Sequence, residues 1–400
     1  MTNDSCRAAY IHVPFCRHRC GYCNFTLVAG RDDLIDAYLE ALERELTALG
    51  QAHEVDTLFF GGGTPTHLPP QQLERLFAIV RRWLPLAPGG EMSVEANPID
   101  LATGSGVFGG KQSSIVQHVL PPKTPDPIGV LREAGVSRVS LGAQSFNTRK
   151  LSLLERDHGP AEIQRAFETA RNFAKSVSLD LIFGVPGESL SDWQQDLQAT
   201  LALAPDHVST YGLTFEKGAN FWSRLSRGDL SRVEEETERQ MYEAAIDTLT
   251  ATGYEHYEVS NFAKPGHRCR HNENYWLGGS YFAAGPGAAR FVGGIRETNH
   301  RSTTTYIARV LSGQSPVAEC ERLAPEDAAR ERLVFGLRRL EGIDTRQFAT
   351  KTGFSVEALG GEDLPRLIDL GLLQLTGDRL RLSRQGLMVS DSIWPEFLRV

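Results

Sequence analysis

Six short apolar runs, separated largely by helix-like stretches, fix most of what this 400-residue chain can become. The runs are Ala8 to Val13, Asp56 to Phe60, Met92 to Ala96, Arg138 to Leu141, Val177 to Phe183 and His207 to Leu213. Glycine, proline or polar turns bound them, as expected of strands buried on both faces. Between them lie stripes at helical spacing: Ile35, Leu39, Leu42, Leu46 and Leu49, then Leu73, Leu76, Phe77, Val80 and Leu84. Two more follow, Ile163, Ala166, Phe167, Ala170 and Phe173, then Leu190, Trp193, Leu197 and Leu201. Ser189 with Asp192 reads as a capping box opening the last one. Repeated strand–helix units predict an α/β fold, a parallel sheet with helices outside, and six such units make a partial (β/α)6 barrel.

In parallel β/α folds, ligands gather at the C-terminal ends of the strands. Cys16 follows the first run, Gly61 to Gly63 the second, Glu95 ends the third, Gln144 follows the fourth and Gly184 the fifth. All five features therefore point to one mouth.

The first of these loops reads Cys16-Arg17-His18-Arg19-Cys20-Gly21-Tyr22-Cys23. It supplies three thiolates and no fourth. A four-iron, four-sulfur (4Fe-4S) cluster normally takes four, so one iron would keep an open position for chemistry. The alternatives are structural zinc, with His12 or His18 as fourth ligand, and a chance group of reduced core cysteines. Zinc sites usually add a distant second pair, which is missing here. Arg17, His18 and Arg19 argue against an apolar core loop. The second loop, Gly61-Gly62-Gly63-Thr64-Pro65-Thr66, lacks the Gly-Lys-Ser/Thr of a P-loop and the third glycine of a dinucleotide fingerprint. Glycines here read either as a tight turn or as backbone open to close approach by a ligand.

A formal net charge of −8 argues against nucleic-acid binding. The six cysteines, Cys6, Cys16, Cys20, Cys23, Cys269 and Cys320, do not make a secreted disulfide scaffold. The N-terminus has no signal-peptide pattern and no stretch has the apolar length of a membrane span, so a cytoplasmic location is expected.

The expected domains are a barrel core over 1–240, a connecting α/β segment over 241–300 and a C-terminal domain over 301–400. Residues 103–127, rich in glycine, serine and proline, read as an inserted loop where a helix should follow the third strand. Glu326 to Leu340 and Leu364 to Leu372 read as helices, the second with Pro365 in its first turn. Leu373 to Leu375 and Leu380 to Leu382 flank the hairpin signal Thr376-Gly377-Asp378, giving a winged-helix-like appendage.

The cysteine and glycine loops together resemble the radical S-adenosylmethionine (SAM) superfamily. Further matching strings are Tyr10-Ile11-His12-Val13-Pro14-Phe15-Cys16, Glu95-Ala96-Asn97-Pro98, Ser140 to Phe146 and Asp180 to Gly187. Within the superfamily the chain resembles the oxygen-independent coproporphyrinogen III oxidase family, and in it the HemW haem-chaperone branch. The resemblance implies that Cys16, Cys20 and Cys23 bind three irons of a 4Fe-4S cluster and that SAM chelates the fourth. It implies Gly62, Gly63 and Thr64 at the methionyl end, Tyr10 and Tyr22 flanking the cofactor, and Glu95, Gln144, Arg156 and Asp180 as its polar cradle. SAM carries an ammonium, a sulfonium and a carboxylate, so carboxylate and guanidinium partners are both in order. The competing reading of Glu95 and Asp180 is a salt bridge within the fold, for example to Arg156.

A late string, His267-Arg268-Cys269-Arg270-His271-Asn272-Glu273-Asn274-Tyr275-Trp276, resembles the His-Asn-x-x-Tyr-Trp motif of the haem-chaperone branch. It makes His271, and less so Cys269, the expected haem-proximal residues; zinc binding or simple packing are the other readings. Cys23 is followed by Asn24 and Phe25, where the oxidases continue with a further cysteine, and nine residues precede Tyr10, where the oxidases carry an N-terminal extension. The expectation is a haem chaperone holding a 4Fe-4S cluster, SAM and haem. The alternative is the oxidase, which decarboxylates coproporphyrinogen III to protoporphyrinogen by SAM-derived radical chemistry. Expected partners are haem, a haem-acceptor protein such as a respiratory one, an electron donor such as flavodoxin or ferredoxin, and a second copy of the chain.

Overall fold

The computed structural model describes residues 6–102 and 126–398. Strands β1 (Ala8–Val13), β2 (Val55–Gly62), β3 (Leu86–Ala96), β4 (Arg138–Gln144), β5 (Ser176–Phe183) and β6 (His207–Gly212) lie side by side in chain order, all parallel. Three short strands extend this sheet to nine: β7 (Glu255–Glu258), β8 (Asn261–Ala263) and β9 (Phe282–Ala284). β9 joins β1 in parallel, while β8 runs antiparallel to β6 with β7 beyond it. No pairing joins β9 to β7, so the barrel is partial. β3 starts at Leu86 rather than Met92, because Pro88-Gly89-Gly90, which reads as a turn, still joins the sheet through a register shift opposite Val55 and Thr57.

Helices α1 (Ile35–Thr47), α2 (Pro70–Trp83), α3 (Pro127–Glu133), α4 (Thr148–Leu153), α5 (Pro160–Arg171) and α6 (Leu190–Leu203) follow the strands. Ser189 caps α6 with Asp192 in the expected box. Of the inserted loop expected over 103–127, residues 103–125 lie outside the described residues, and Asp126 and Pro127 open α3.

Strand alternation divides each run between two environments. In β5, Val177, Leu179 and Leu181 face the helices, while Ser178 and Asp180 face inward. In β2, Phe60 packs on Phe77 of α2 at 4.9 Å between ring centroids, while Thr57 and Phe59 face the interior. The outer layer is largely apolar and most of it joins one core, with a few buried charges such as Glu45 and Asp196 set into it. The interior carries serines, carboxylates and histidines.

Beyond the barrel come α7 (Arg270–Trp276), an antiparallel sheet of β10 (Ala289–Val292), β11 (Ile295–Asn299) and β12 (Val317–Arg322), and α8 (Thr303–Leu311). Buried Glu45 of α1 fastens this region, accepting from Gly285 N–H (2.9 Å), Asn299 Nδ2 (2.6 Å) and Tyr306 O–H (2.6 Å). The C-terminal unit is α9 (Pro325–Arg338), β13 (Ile343–Asp344), α10 (Thr345–Thr352), α11 (Val356–Gly360), α12 (Asp363–Asp369) and the hairpin of β14 (Leu373–Thr376) and β15 (Arg379–Leu382). This is the expected winged-helix-like arrangement. α12 ends before the expected Leu372 because Gly371, at φ 71°, turns the chain into the hairpin.

The turn after β4 needs support from outside the strand. Gln144 has φ 64°, a left-handed conformation that is costly for a residue with a side chain. Asp196 of α6 accepts from Ser145 Oγ (2.6 Å), Phe146 N–H (2.7 Å) and Lys150 Nζ (3.0 Å), and Lys150 also pairs with Glu188. All three charges are buried. Asp196→Ala leaves an ammonium short of a partner and two donors unpaired, a loss of about 3–5 kcal/mol. It is expected as a lowered urea midpoint, with Asp196→Asn intermediate; an unchanged midpoint in the alanine variant would remove this network from the account.

Candidate functional site

The parallel register pairs Val13 of β1 with Gly62 of β2, so the loops leaving these two strands start side by side. Gly63 N–H donates to Val13 O and Thr64 N–H to Phe15 O, each at 2.8 Å, which seats the glycine turn against the cysteine loop. A Cβ on Gly63 would lie 2.7 Å from both of those carbonyl oxygens, and one on Gly62, at φ 104°, would lie 2.3 Å from the His12 ring. One on Gly61 would meet the Glu95 carboxyl at 2.8 Å. The glycines are thus demanded by the protein's own close approaches, which the sequence does not reveal.

Cys16, Cys20 and Cys23 line a cavity of about 590 Å³ at the C-terminal ends of the strands. Cys16 Sγ is 3.2 Å from Thr64 Oγ1, and Arg156 Nη1 donates to Cys20 Sγ at 3.4 Å. Burial pushes the Cys16 thiol up to about 12, so its thiolate needs positive charge beside it. Among the described residues no three His, Cys, Asp or Glu side chains converge on a point that would hold a single ion. The histidines that a zinc site would recruit are engaged elsewhere. His12 meets Tyr10 O–H (3.0 Å) and the Thr26 carbonyl (2.6 Å), and His18 binds the Glu155 carbonyl, with Cys20 Sγ at 3.6 Å. Thiols that share a mouth without converging suit a cluster, where each thiolate takes its own iron.

Tyr22, Gly62, Gly63, Thr64, Glu95, Gln144, Arg156 and Asp180 line the same cavity. Tyr10 does not; its ring faces the interior, 6.2 Å from that of Phe59. Gly62 N–H donates to Glu95 Oε2 at 2.9 Å. Burial pushes the Glu95 carboxyl up to about 7, the Gly62 N–H pulls it down, and Asp180 adds to the rise. Burial also raises Asp180, against hydrogen bonds that include Ser140 Oγ (2.9 Å) and Ser178 Oγ (3.2 Å). The alternative of an internal salt bridge is not realised: Arg156 donates to Cys20 Sγ and to the Gly142 carbonyl (3.2 Å), and its buried Nε has no partner. Buried carboxylates with no direct ion pair, Asp180 feeling only the more distant Arg138, beside a guanidinium with an unused donor, fit a small ligand carrying both charges. The residues present therefore fit a cluster and SAM.

The sequence reading missed Ser140, Ser178 and Ser209, the hydroxyls around Asp180. Their signal was small polar residues at alternate positions of otherwise apolar strands.

His271 and Cys269 lie at the other end of the barrel. α7 closes its foot, where His271 is buried with Nδ1 3.0 Å from Thr57 Oγ1 and Nε2 2.9 Å from Tyr275 O–H. Burial lowers its imidazole to about 3. Cys269 Sγ is 3.8 Å from Glu91 Oε1, and Arg138, the first residue of β4, donates to the His267 carbonyl at 3.0 Å. Both His271 ring nitrogens are engaged, so the imidazole is closed to iron in this arrangement.

Residues 10–199 match the model of the radical SAM superfamily, and residues 323–389 match the HemN C-terminal domain. The chain is 33% identical over 398 residues to the haem chaperone HemW of Bacillus subtilis (strain 168), covering 98% of this chain and 99% of that protein. It is 32% identical over 401 residues to HemW of Escherichia coli (strain K12), covering 97% of each. Among solved structures, the coproporphyrinogen III oxidase HemN of Escherichia coli, a radical SAM enzyme, superposes with a TM-score of 0.81 at 22% identity, over 98% of this chain and 90% of that one. That likeness establishes the fold. With full-length relatives at this identity, the chain belongs to the HemW family of the radical SAM superfamily.

Proposed function

We propose that this protein is a haem chaperone: it binds haem, passes it to an acceptor protein, and carries a SAM-coordinated 4Fe-4S cluster in the barrel mouth. The observation that carries this reading is the end-to-end similarity to HemW proteins, joined to a mouth with three thiols and an uncompensated polar cradle. Cys16, Cys20 and Cys23 would hold the cluster. Gly62, Gly63, Thr64, Glu95, Gln144, Arg156 and Asp180 would hold SAM, with Tyr22 beside it and Tyr10 supporting from below. Once bound, the pair would supply one-electron chemistry. The chain's own part would be to orient the ligand: Glu95 would meet its cationic end, Arg156 would offer a guanidinium to its carboxylate, and the packed outer layer would keep the strand ends fixed.

The oxidase reading is weaker because its support is the shared fold, at 22% identity, and because Asn24 and Phe25 follow Cys23 without a further cysteine. A respiratory haem protein as acceptor, flavodoxin or ferredoxin as electron donor, and a homodimer belong to the same proposal. So does a cytoplasmic location, with which the free state of all six cysteines agrees. No helix among the described residues is long and apolar enough to cross a membrane.

Three outcomes test this. Anaerobic reconstitution is expected to give about four irons and four acid-labile sulfides per chain, lost in Cys20→Ala; bound zinc without sulfide would overturn the cluster. SAM affinity is expected to rise with pH through about 7, since the Glu95 carboxyl titrates there and only its charged form attracts a cation. The slope should disappear in Glu95→Gln, and calorimetry across pH 6 to 8 checks it; a flat wild-type profile removes Glu95 from the cradle. With coproporphyrinogen III, SAM and a reductant, the reconstituted protein is expected to form no protoporphyrinogen, while haem added to it gives a stable Soret band. Turnover without a haem complex would reverse the assignment.

A further inference from the structure

We infer that haem binds not in the mouth but in a second cavity at the foot of the barrel, enclosed by α7, the β10–β12 sheet and α9. The inference rests on the haem-chaperone reading above and gives that reading a site.

The cavity measures about 530 Å³, within the roughly 300–1,000 Å³ usual for cofactor pockets. Tyr275 and Trp276 of α7, Tyr281, Phe291 of β10 and Phe335 of α9 form its walls. All five rings are only half-buried. Tyr275 and Tyr281 meet edge to face at 4.6 Å, and Trp276 and Phe335 lie 6.2 Å apart, so the walls hold one another without filling the space. Five such rings gathered around one concavity make the contiguous apolar lining usual for a cofactor pocket.

The polar fringe is cationic. Arg296, Arg332 and Lys351 line the cavity against one carboxylate, Glu331. Arg296 is committed to Glu331 and to Glu321, the latter at 3.1 Å. Arg332 gives one N–H to the Gly278 carbonyl (2.7 Å) and joins no ion pair among the described residues, and neither does exposed Lys351. A flat aromatic macrocycle with two carboxylates on one edge matches both features: its faces meet rings, and its acids meet an ammonium and a guanidinium.

The mouth is the poorer host. The proposed cluster and SAM take that space, Arg156 on its wall is already given to the carboxylate of SAM, and Glu95, Asp180 and Glu216 beside it repel further carboxylates. The foot cavity also gives the late motif a division of labour. Tyr275 contributes a wall, and His271, hydrogen-bonded to its hydroxyl from behind, is a positioning residue.

The test titrates ferric protoporphyrin IX into the reconstituted full chain and follows the Soret band, with and without saturating SAM. Phe335→Glu and Lys351→Glu are each expected to weaken haem binding about tenfold or more. SAM is expected to leave the wild-type affinity unchanged, because the two ligands occupy opposite ends. Wild-type affinity in folded Phe335→Glu, or competition between SAM and haem, overturns the cavity. If Phe335→Glu does not fold, wild-type affinity in the surface variant Lys351→Glu overturns it instead. No haem binding by the wild type would overturn the chaperone reading itself, which separates the two failures.

Discussion

The mouth of this barrel depends on one register: Val13 opposite Gly62 in the parallel pair of β1 and β2. That pairing brings the cysteine loop onto the glycine turn, and backbone hydrogen bonds from Gly63 and Thr64 seal the contact. A slip by one residue would turn every side chain of β2 to the opposite face. Phe60 would leave the helices, and the glycines would no longer lie under His12 and Glu95. The site is therefore a consequence of strand pairing before it is a consequence of side-chain chemistry.

The charges collected there are costly as they stand. Buried thiols, two carboxylates without a direct ion pair and a guanidinium with a silent donor all call for a ligand. The rest of the barrel resolves its interior polarity by itself. Ser178 Oγ lies 3.2 Å from Asp180 and 2.8 Å from His207, His207 lies 2.8 Å from Tyr257 O–H, and Cys269 N–H donates to that hydroxyl at 3.3 Å. This row runs from the mouth to the foot, so the two ends share one hydrogen-bonded interior while presenting different surfaces. The mouth is thiol-lined and carries charges of both signs; the foot cavity is aromatic and edged with cations.

Much of this was legible in the chain. Strand β1 is bounded as the apolar run indicated, α6 begins at the Ser189 cap, and the hairpin turns at Thr376-Gly377-Asp378. Mouth residues could be read because parallel strands deliver their C-terminal loops to one end. β7, β8 and β9 could not, since three or four residues carry no period. Nor could the seat of His271: a histidine beside an asparagine, a tyrosine and a tryptophan has the same spelling whether it meets iron or plugs a barrel.

The sequence by itself determined the alternation of elements, the three-thiol loop and the glycine turn, because each rests on spacing within a few neighbouring residues. Only the tertiary structure decided that Glu95 lies on Gly62 with no cation beside it, and that Arg156 turns to Cys20. It alone set His271 behind Tyr275 at the end remote from the cysteines. Those outcomes depend on which distant segments share a buried space, and burial and charge pairing act through space rather than along the chain.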